Sequence, residues 1–395
     1  MSEPTEFQKT CQRFYRNRPA FVGLSIVLVS ILVAFFGYAL SPDDSPDANT
    51  QISVLALKPP GTCVQLLSVK LNRSEQRVSY LAFLFSGRPV SDQRIPIVPG
   101  TLRLEGDSVC YQSVGDDVPL RRVHVLQLFF PAIDSLSMEN ATYQFKDEKG
   151  LIQRVSKSAI AEKWLAGTVV SNRCFVLGTD KYGRCMFSRL LLGFRISLLV
   201  GLISVLISLT IGLFLGLVGG YFGGKLDDIV LLVINTVWSI PTLLLVFAVV
   251  MALGRGVGII FLAVGLTMWV DVARIVRGQV LSLRSLPFVE AAQSMGFGHW
   301  RILRRHIVPN LLGPVLVVAA GNFATAILVE SGLSYLGFGV QPPTPSWGSM
   351  LNENYGYAIS GKPLLALAPA FAIAIMVLAF NLVGNGLRDA LDVKG

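Results

Sequence analysis

The chain has 395 residues, 52% of them hydrophobic and only 15% charged, with a formal net charge of +9. A mean hydropathy of +0.58 excludes an ordinary soluble domain. The positive charge raises nucleic acid as a partner, but the basic residues gather beside apolar runs, at 9–18 and 274–305, with no nucleic-acid-binding motif near them. That placement is the positive-inside signature of a membrane protein and puts both segments in the cytoplasm.

Residues 21–40 run apolar for about the twenty positions a bilayer requires. They read as a retained transmembrane helix, because a cleavable signal has an apolar stretch of only about 7 to 15 residues and a small-residue cleavage site. From 41 to 166 the composition changes. An acidic, Pro-rich linker (41–50) is followed by short apolar or alternating runs at 64–71, 78–85, 101–104 and 122–130, with turn clusters at 58–61, 98–100 and 115–118. This is the pattern of a small β-rich domain inserted after the first span, outside the cytoplasm by the charge argument. Cys63 and Cys110 fall within it, either as a disulfide, which an oxidising compartment permits, or as two lone thiols.

Residues 190–218 and 229–252 form the second and third spans. Between them Gly219, Gly224 and Lys225 match G-x-x-x-x-G-K, but Leu226 stands where a P-loop needs Ser or Thr, and the flanks are apolar spans. A tight turn accounts for these glycines, so no nucleotide site is expected. Pro241 should kink the third span, and Asn235, Ser239 and Thr242 beside it are polar enough to line a pathway or to bond between helices. Residues 258–270, 311–329 and 364–383 supply the fourth, fifth and sixth spans. His124, His299 and His306 all lie outside the spans, and no catalytic triad or metal cluster is visible, so catalytic and metal sites are not expected. Asp271 and Glu330 sit near span ends, which argues against an ion-coupled secondary transporter.

The stretch 273–310 interrupts the apolar runs with basic and polar residues. Ser285 and Pro287 signal a helix start, after which Phe288, Ala291, Ala292 and Met295 recur at helical spacing. Glu290 falls in the first turn, where the helix dipole favours a carboxylate. Gly296 supplies the stop. A second short helix follows, with Trp300, Leu303 and Ile307 on one face and Arg301, Arg304 and Arg305 toward the other, until Pro309 breaks the pattern. Two amphipathic helices joined at a glycine between spans make a docking element for another protein.

The run Glu290-Ala291-Ala292, then Gly296 and Pro309, resembles the EAA loop of ABC importer permeases, and the ending from Arg305 to Asn310 resembles the peptide-importer branch. Gly178, Thr179, Asp180, Gly183, Arg184, Ser188, Arg189, Gly193, Arg195 and Ser197 resemble the stretch before the second span of the C-type subunit. There Arg184, Arg189 and Arg195 are expected to face a polar surface, and Cys185 departs from the family's usual Asp. The sequences GLSYLG (332–337) and PSWG (345–348), and GLRDALD (386–392), complete four motifs in family order.

The resemblance implies an all-α polytopic membrane protein of six transmembrane helices, the type I ABC importer permease fold, in the bacterial inner membrane. Residues 1–40 would carry the N-terminus and first helix, 41–166 the inserted extracytoplasmic domain, and 167–395 the permease core. It further implies import of dipeptides or oligopeptides, with a second homologous permease, two cytoplasmic ATPase subunits that hold ATP and Mg, and an extracytoplasmic solute-binding protein as partners. The chain itself would bind no cofactor. Glu290, Ala291, Ala292, Gly296, Arg301, Arg304, Arg305 and Pro309 would contact the ATPase, while Asn235, Ser239, Pro241 and Thr242 are candidate pathway residues. The same machinery carrying nickel or another small solute is the alternative.

Overall fold

A computed structural model of the protein describes residues 6–71, 78–115, 120–131, 134–139, 141–146, 151–167 and 169–391. Part of the turn expected at 115–118, and Asp392 of the last motif, lie outside the described residues. The chain divides into two compact units: Met1–Ala34 with Gly193–Ala358 and Ala366–Gly395, and Phe35–Leu192 with Ile359–Leu365.

An amphipathic helix α1 (Glu6–Arg16) leads into the apolar α2 (Arg18–Leu40). The second unit then contributes β1 (Thr62–Lys70), α3 (Tyr80–Ser86), β2 (Asp92–Ile97), β3 (Arg103–Glu105), β4 (Ser108–Tyr111), β5 (Arg121–His124), β6 (Asp134–Glu139), β7 (Thr142–Lys146), β8 (Ile152–Ser156), α4 (Lys157–Leu165) and β9 (Val170–Phe175). These form three antiparallel three-stranded sheets, ordered β2-β1-β9, β3-β4-β5 and β6-β7-β8. Tyr143 and Phe145 turn inward at the two-residue period of β7, and with Leu67, Ile97, Val109, Tyr111 and Leu126 they close the core.

Four details differ from the sequence reading. The run 78–85 is a helix, not a strand. It ends where Gly87 adopts φ +73°, and a Cβ there would lie 2.7 Å from both Tyr38 and the carbonyl of Asp44. The last strand of the first sheet, β9, lies beyond the Ala166 boundary, because β1 needs a partner on each edge. Cys63 is disulfide-bonded to Cys174, its direct cross-strand neighbour on β9, so Cys110 is a free buried thiol within bonding reach of Glu105 at 3.3 Å. Finally, Arg184 and Arg189 are buried rather than surface-facing.

The Arg184 burial has a clear cause. Asp180 accepts from the Tyr182 and Arg184 amides, each at 2.9 Å, and from Arg184 Nε at 2.6 Å, so the guanidinium enters the interior already paired. Gly178 and Gly183 have φ +75° and +73° and pass against the carbonyls of Lys58 and Ile52, leaving no room for a side chain. Cys185 belongs to an apolar cluster with Ile52, Leu55, Leu66 and Phe175, a setting that suits a thiol and would penalise an unpaired carboxylate.

In the first unit, α5 (Met186–Phe222) is followed by α6 (Gly224–Trp238), α7 (Thr242–Leu253), α8 (Val257–Arg284), α9 (Pro287–Ser294), α10 (His299–Ile302), α11 (Val308–Tyr335), α12 (Trp347–Ile359) and α13 (Leu364–Leu391). Among the described residues five helices are long and apolar enough to cross a membrane, and α6 with α7 makes a sixth span if that bent pair is counted as one. This is a helical membrane protein with a β-rich insertion between its first helix and its later spans. The third span is not a kinked single helix as expected, because α6 and α7 meet at 89° across Ser239–Pro241. Proline cannot donate the bond that would carry a helix through that point.

Helix contact in the first unit rests on small residues, as membrane packing favours. Gly212, Gly216 and Gly220, four residues apart on α5, lie against α8, where an added Cβ would come within 2.5 Å of Val272, 2.7 Å of the Ala273 carbonyl and 2.8 Å of Val280.

Candidate functional site

The basic stretch begins inside a helix, since α8 continues through Arg284. Pro287 then opens α9 at a position whose missing N–H removes only an amide that would have been unpaired anyway. Val289 and Ala292 of α9 are fully buried, in a cluster with Val276 and Val280 of α8 and with Ile302, Ile307 and Leu311. The four residues expected on one apolar face are thus divided between two. Phe288 is 42% exposed, Met295 65% exposed and Ala291 exposed, and Leu286 before α9 and Trp300 in α10 are exposed as well. Only Ala292 of the predicted stripe turns inward, because burial follows the 289/292 pair that meets α8. Glu290 is exposed in the first turn.

Gly296 has φ +75° with nothing within 4 Å of a Cβ position, so the conformation, not the space, calls for glycine. Its amide returns to the Gln293 carbonyl at 2.9 Å and that of Phe297 to Ala292 at 3.2 Å, closing α9. Past the turn, Arg301 stacks 4.1 Å over the Phe297 ring, and Arg304 and Arg305 are exposed. Pro309 does not end the helix. One wide turn (Leu303–Ile307) relieves the bond it cannot make, and Pro309 lies in the first turn of α11, so the helical path runs from His299 to Tyr335.

Sequence reasoning missed the groups that fasten this segment. The Tyr221 hydroxyl at the end of α5 lies 3.0 Å from His299 Nδ1, and Arg284 Nη1 donates to the Tyr221 carbonyl at 2.9 Å. Asp227 at the start of α6 takes two bonds from Arg277 of α8, at 2.5 and 2.6 Å. Gly223 and Gly224, with φ +68° and +57°, make the turn between these anchors, whereas Gly219, expected in the same turn, lies within α5.

Asn235, Ser239, Pro241 and Thr242 all lie on an exposed face at the α6/α7 break, away from the packed interior of this chain. Asn235 accepts from Arg274 at 3.4 Å, Arg274 stacks 3.8 Å from Trp238, and Ser239 bonds back to the Thr236 carbonyl at 2.8 Å. Elsewhere in the unit, Glu330 is fully buried and accepts from Ser334 Oγ at 2.6 Å, while Ser334 Oγ accepts the Val340 amide at 3.0 Å. This carboxylate pins the loop after α11, and Gly348 packs on Ser331 and Ser334 so closely that no Cβ fits.

The geometry defines a helical membrane protein with one broken span and a short surface helix held between two spans. The family described as binding-protein-dependent transport system inner membrane component matches residues 208–394, and the N-terminal TM domain of oligopeptide transport permease C matches residues 5–60. The oligopeptide transport system permease protein OppC of Escherichia coli K12 is 46% identical over 217 residues, 55% of this chain and 72% of that protein. The glutathione transport system permease protein GsiD of Pectobacterium atrosepticum is 44% identical over 218 residues, with the same coverage. The dipeptide transport system permease protein DppC of Bacillus subtilis is 42% identical over 217 residues, 55% of this chain and 68% of that protein. A solved methionine ABC transporter, MetNI in an inward-facing conformation, aligns with a TM-score of 0.43 at 21% identity over 52% of this chain and 97% of that one.

The chain belongs to the binding-protein-dependent transport system inner membrane components and is similar to permeases of the OppC type. It is a multi-pass inner-membrane transport subunit without catalysis of its own, in a system that implies ATPase and binding-protein partners.

Proposed function

We propose that this chain is one of two homologous permease subunits that together move dipeptides or oligopeptides, with α9 seated in a groove on one of two cytoplasmic ATPase subunits. The observation that carries the coupling role is the split character of α9: Val289 and Ala292 are locked into the helix core, while Phe288, Ala291 and Met295 are left exposed. A helix held by one apolar face and presenting another can transmit displacement in both directions. Arg301, Arg304 and Arg305 flank this face and supply charge to the same contact. The exposed break carrying Asn235, Ser239, Pro241 and Thr242 is read as half of a pathway that the second permease completes. Peptide cargo rests on the relatives, which are described as oligopeptide, dipeptide and glutathione permeases. The inserted domain is read as an extracytoplasmic accessory near the binding protein.

Coupling is tested in the reconstituted transporter. Ala291→Trp overfills a fitted contact, at a cost of about 1 to 3 kcal/mol, and Gly296→Val forces a β-branched residue into φ > 0. Both should insert normally yet lose ATPase binding or substrate-stimulated hydrolysis, whereas Ser294→Ala should transport as the parent does. Parental transport by both variants with an intact complex would remove α9 from the coupling path. Mass spectrometry of ligand retained by the binding protein tests the cargo.

A further inference from the structure

The inserted domain leaves an apolar surface exposed on α3. α3 exposes Tyr80 and Leu81 at 65% each and Phe85 at 61%, while Leu84 is buried. Exposed aromatics on one short helix say little alone; their position is informative. Phe85 packs edge-on against Phe35 of α2, with ring centroids 5.9 Å apart. Phe35 continues a stripe of exposed residues along that span, Leu28 (53%), Leu32 (58%) and Phe36 (39%), which in a multi-pass membrane protein faces lipid or a neighbouring subunit. At a rise of about 1.5 Å per residue, Phe35 lies roughly 7 to 8 Å before the end of α2, the depth of a bilayer interface.

The contact is built in. Arg88 donates its amide to the Asp44 carbonyl at 2.7 Å, Gly87 passes Tyr38 too closely for a side chain, and Tyr38 packs against Phe83 with centroids 6.4 Å apart. These fix α3 to the chain leaving the span. Arg88, directly beyond α3 and two-thirds exposed, stacks 4.9 Å over Phe83 and supplies a cation at the same level. Aromatic rings with a nearby cation are the composition of a membrane-water interface.

We propose that α3 is an interfacial helix, inserting Tyr80, Leu81 and Phe85 among lipid headgroups and upper acyl chains of the leaflet in which α2 ends, so that the inserted domain rests on the bilayer. The occupant is lipid because Phe85 packs on Phe35 within the last turns of a helix long and apolar enough to cross a membrane, with the cation of Arg88 beside the same rings. The inference needs no assignment of cargo or of the coupling segment.

The test uses the assembled transporter in nanodiscs with Cys11→Ser, since Cys110 and Cys185 are buried and Cys63 is bonded to Cys174. A fluorophore on Leu81→Cys is quenched with phosphatidylcholine brominated on its acyl chains and, separately, with aqueous iodide; the same label on Leu32→Cys is the in-membrane reference. The expected result is bromolipid quenching at least half that of the Leu32 label, with several-fold protection from iodide compared with free dye. Iodide quenching without bromolipid quenching would overturn the proposal by placing α3 in water. Resistance to both quenchers would overturn it by showing that a protein subunit covers α3.

Discussion

Replacing Gly216 with Val tests whether the α5–α8 contact is as close as the structure makes it. The new Cβ would stand 2.7 Å from the Ala273 carbonyl oxygen and 2.8 Å from Val276, where ordinary contact begins at 3.4 Å. The carbonyl is helix backbone and cannot rotate away, so the two helices must separate by about 0.7 Å or bend, an overpacking cost of about 1 to 3 kcal/mol. The gain from replacing a helical glycine offsets at most about 0.5 kcal/mol of this, because valine is itself a modest helix former. Gly278→Ala on α8 is the matched control: nothing lies within 4 Å of its Cβ position, so it should stabilise by about 0.5 to 1 kcal/mol. Unfolding of the chain in mixed micelles, titrated with SDS and followed by circular dichroism, reads both. Opposite signs are expected. If Gly216→Val shifted stability no more than Gly278→Ala and in the same direction, the helices would not touch along Gly212, Gly216 and Gly220.

Three further outcomes follow from the inserted domain. Cys63→Ser or Cys174→Ser should open a loop of 111 residues and destabilise this domain by about 2 to 5 kcal/mol, with a mobility change on non-reducing gels that Cys110→Ser does not reproduce. Bonds from Lys157 and Tyr143 hold the Asp107 carboxyl below its ordinary 3.8, while Tyr143 is pushed up to about 12 by burial and then by that same bond. A depressed carboxyl contributes stability that is complete above about pH 3.8 and fades as pH falls through its lower folded value. Asp107→Asn should therefore flatten the acid limb of a thermal-melting profile below pH 4; an unchanged limb would mean the pair contributes nothing. For topology, a cysteine at the exposed Leu165 should react with an impermeant thiol reagent only from the extracytoplasmic side, and reaction only from the cytoplasm would invert the assignment.

The spans were legible because a bilayer demands long apolar helices, a property each segment carries alone. The helix at 287–294 was legible for a related reason: Pro287, Glu290 and Gly296 act within a few residues of themselves, at its start and its stop. Legibility failed wherever the outcome depends on a distant partner. Hydrophobic spacing in 288–295 predicts the helix but groups Ala292 with Phe288, Ala291 and Met295 and passes over Val289, since which of them is buried depends on where Val280 and Ile307 stand. Arg184 looks like a surface charge until Asp180 is seen to close on it, and Cys63 could not be matched to Cys174 before β9 was placed beside β1. The run 78–85 alternates little better than it repeats at helical spacing, and the choice is made by Gly87 turning against Tyr38.

These long-range contacts determine what moves together. A push on α9 would act first on Val289 and Ala292 and through them on Val276 and Val280 of α8 and on Ile307 and Leu311 at the root of α11. Beyond α9 itself, Tyr221 ties α5 to His299 of α10 and Asp227 ties α6 to Arg277 of α8, so the helices that α9 meets are fastened in turn to two more. Bonds of this kind are expensive to leave unmade, which favours moving the ends as a body over breaking them. The 89° break at Ser239–Pro241 is the place where that body can stop, because no helical bond crosses Pro241 to carry rotation from α6 into α7. Switching between two packings then needs only a partner with different affinity for each. The exposed pathway candidates sit at that break, where a change in the angle between α6 and α7 alters their spacing most.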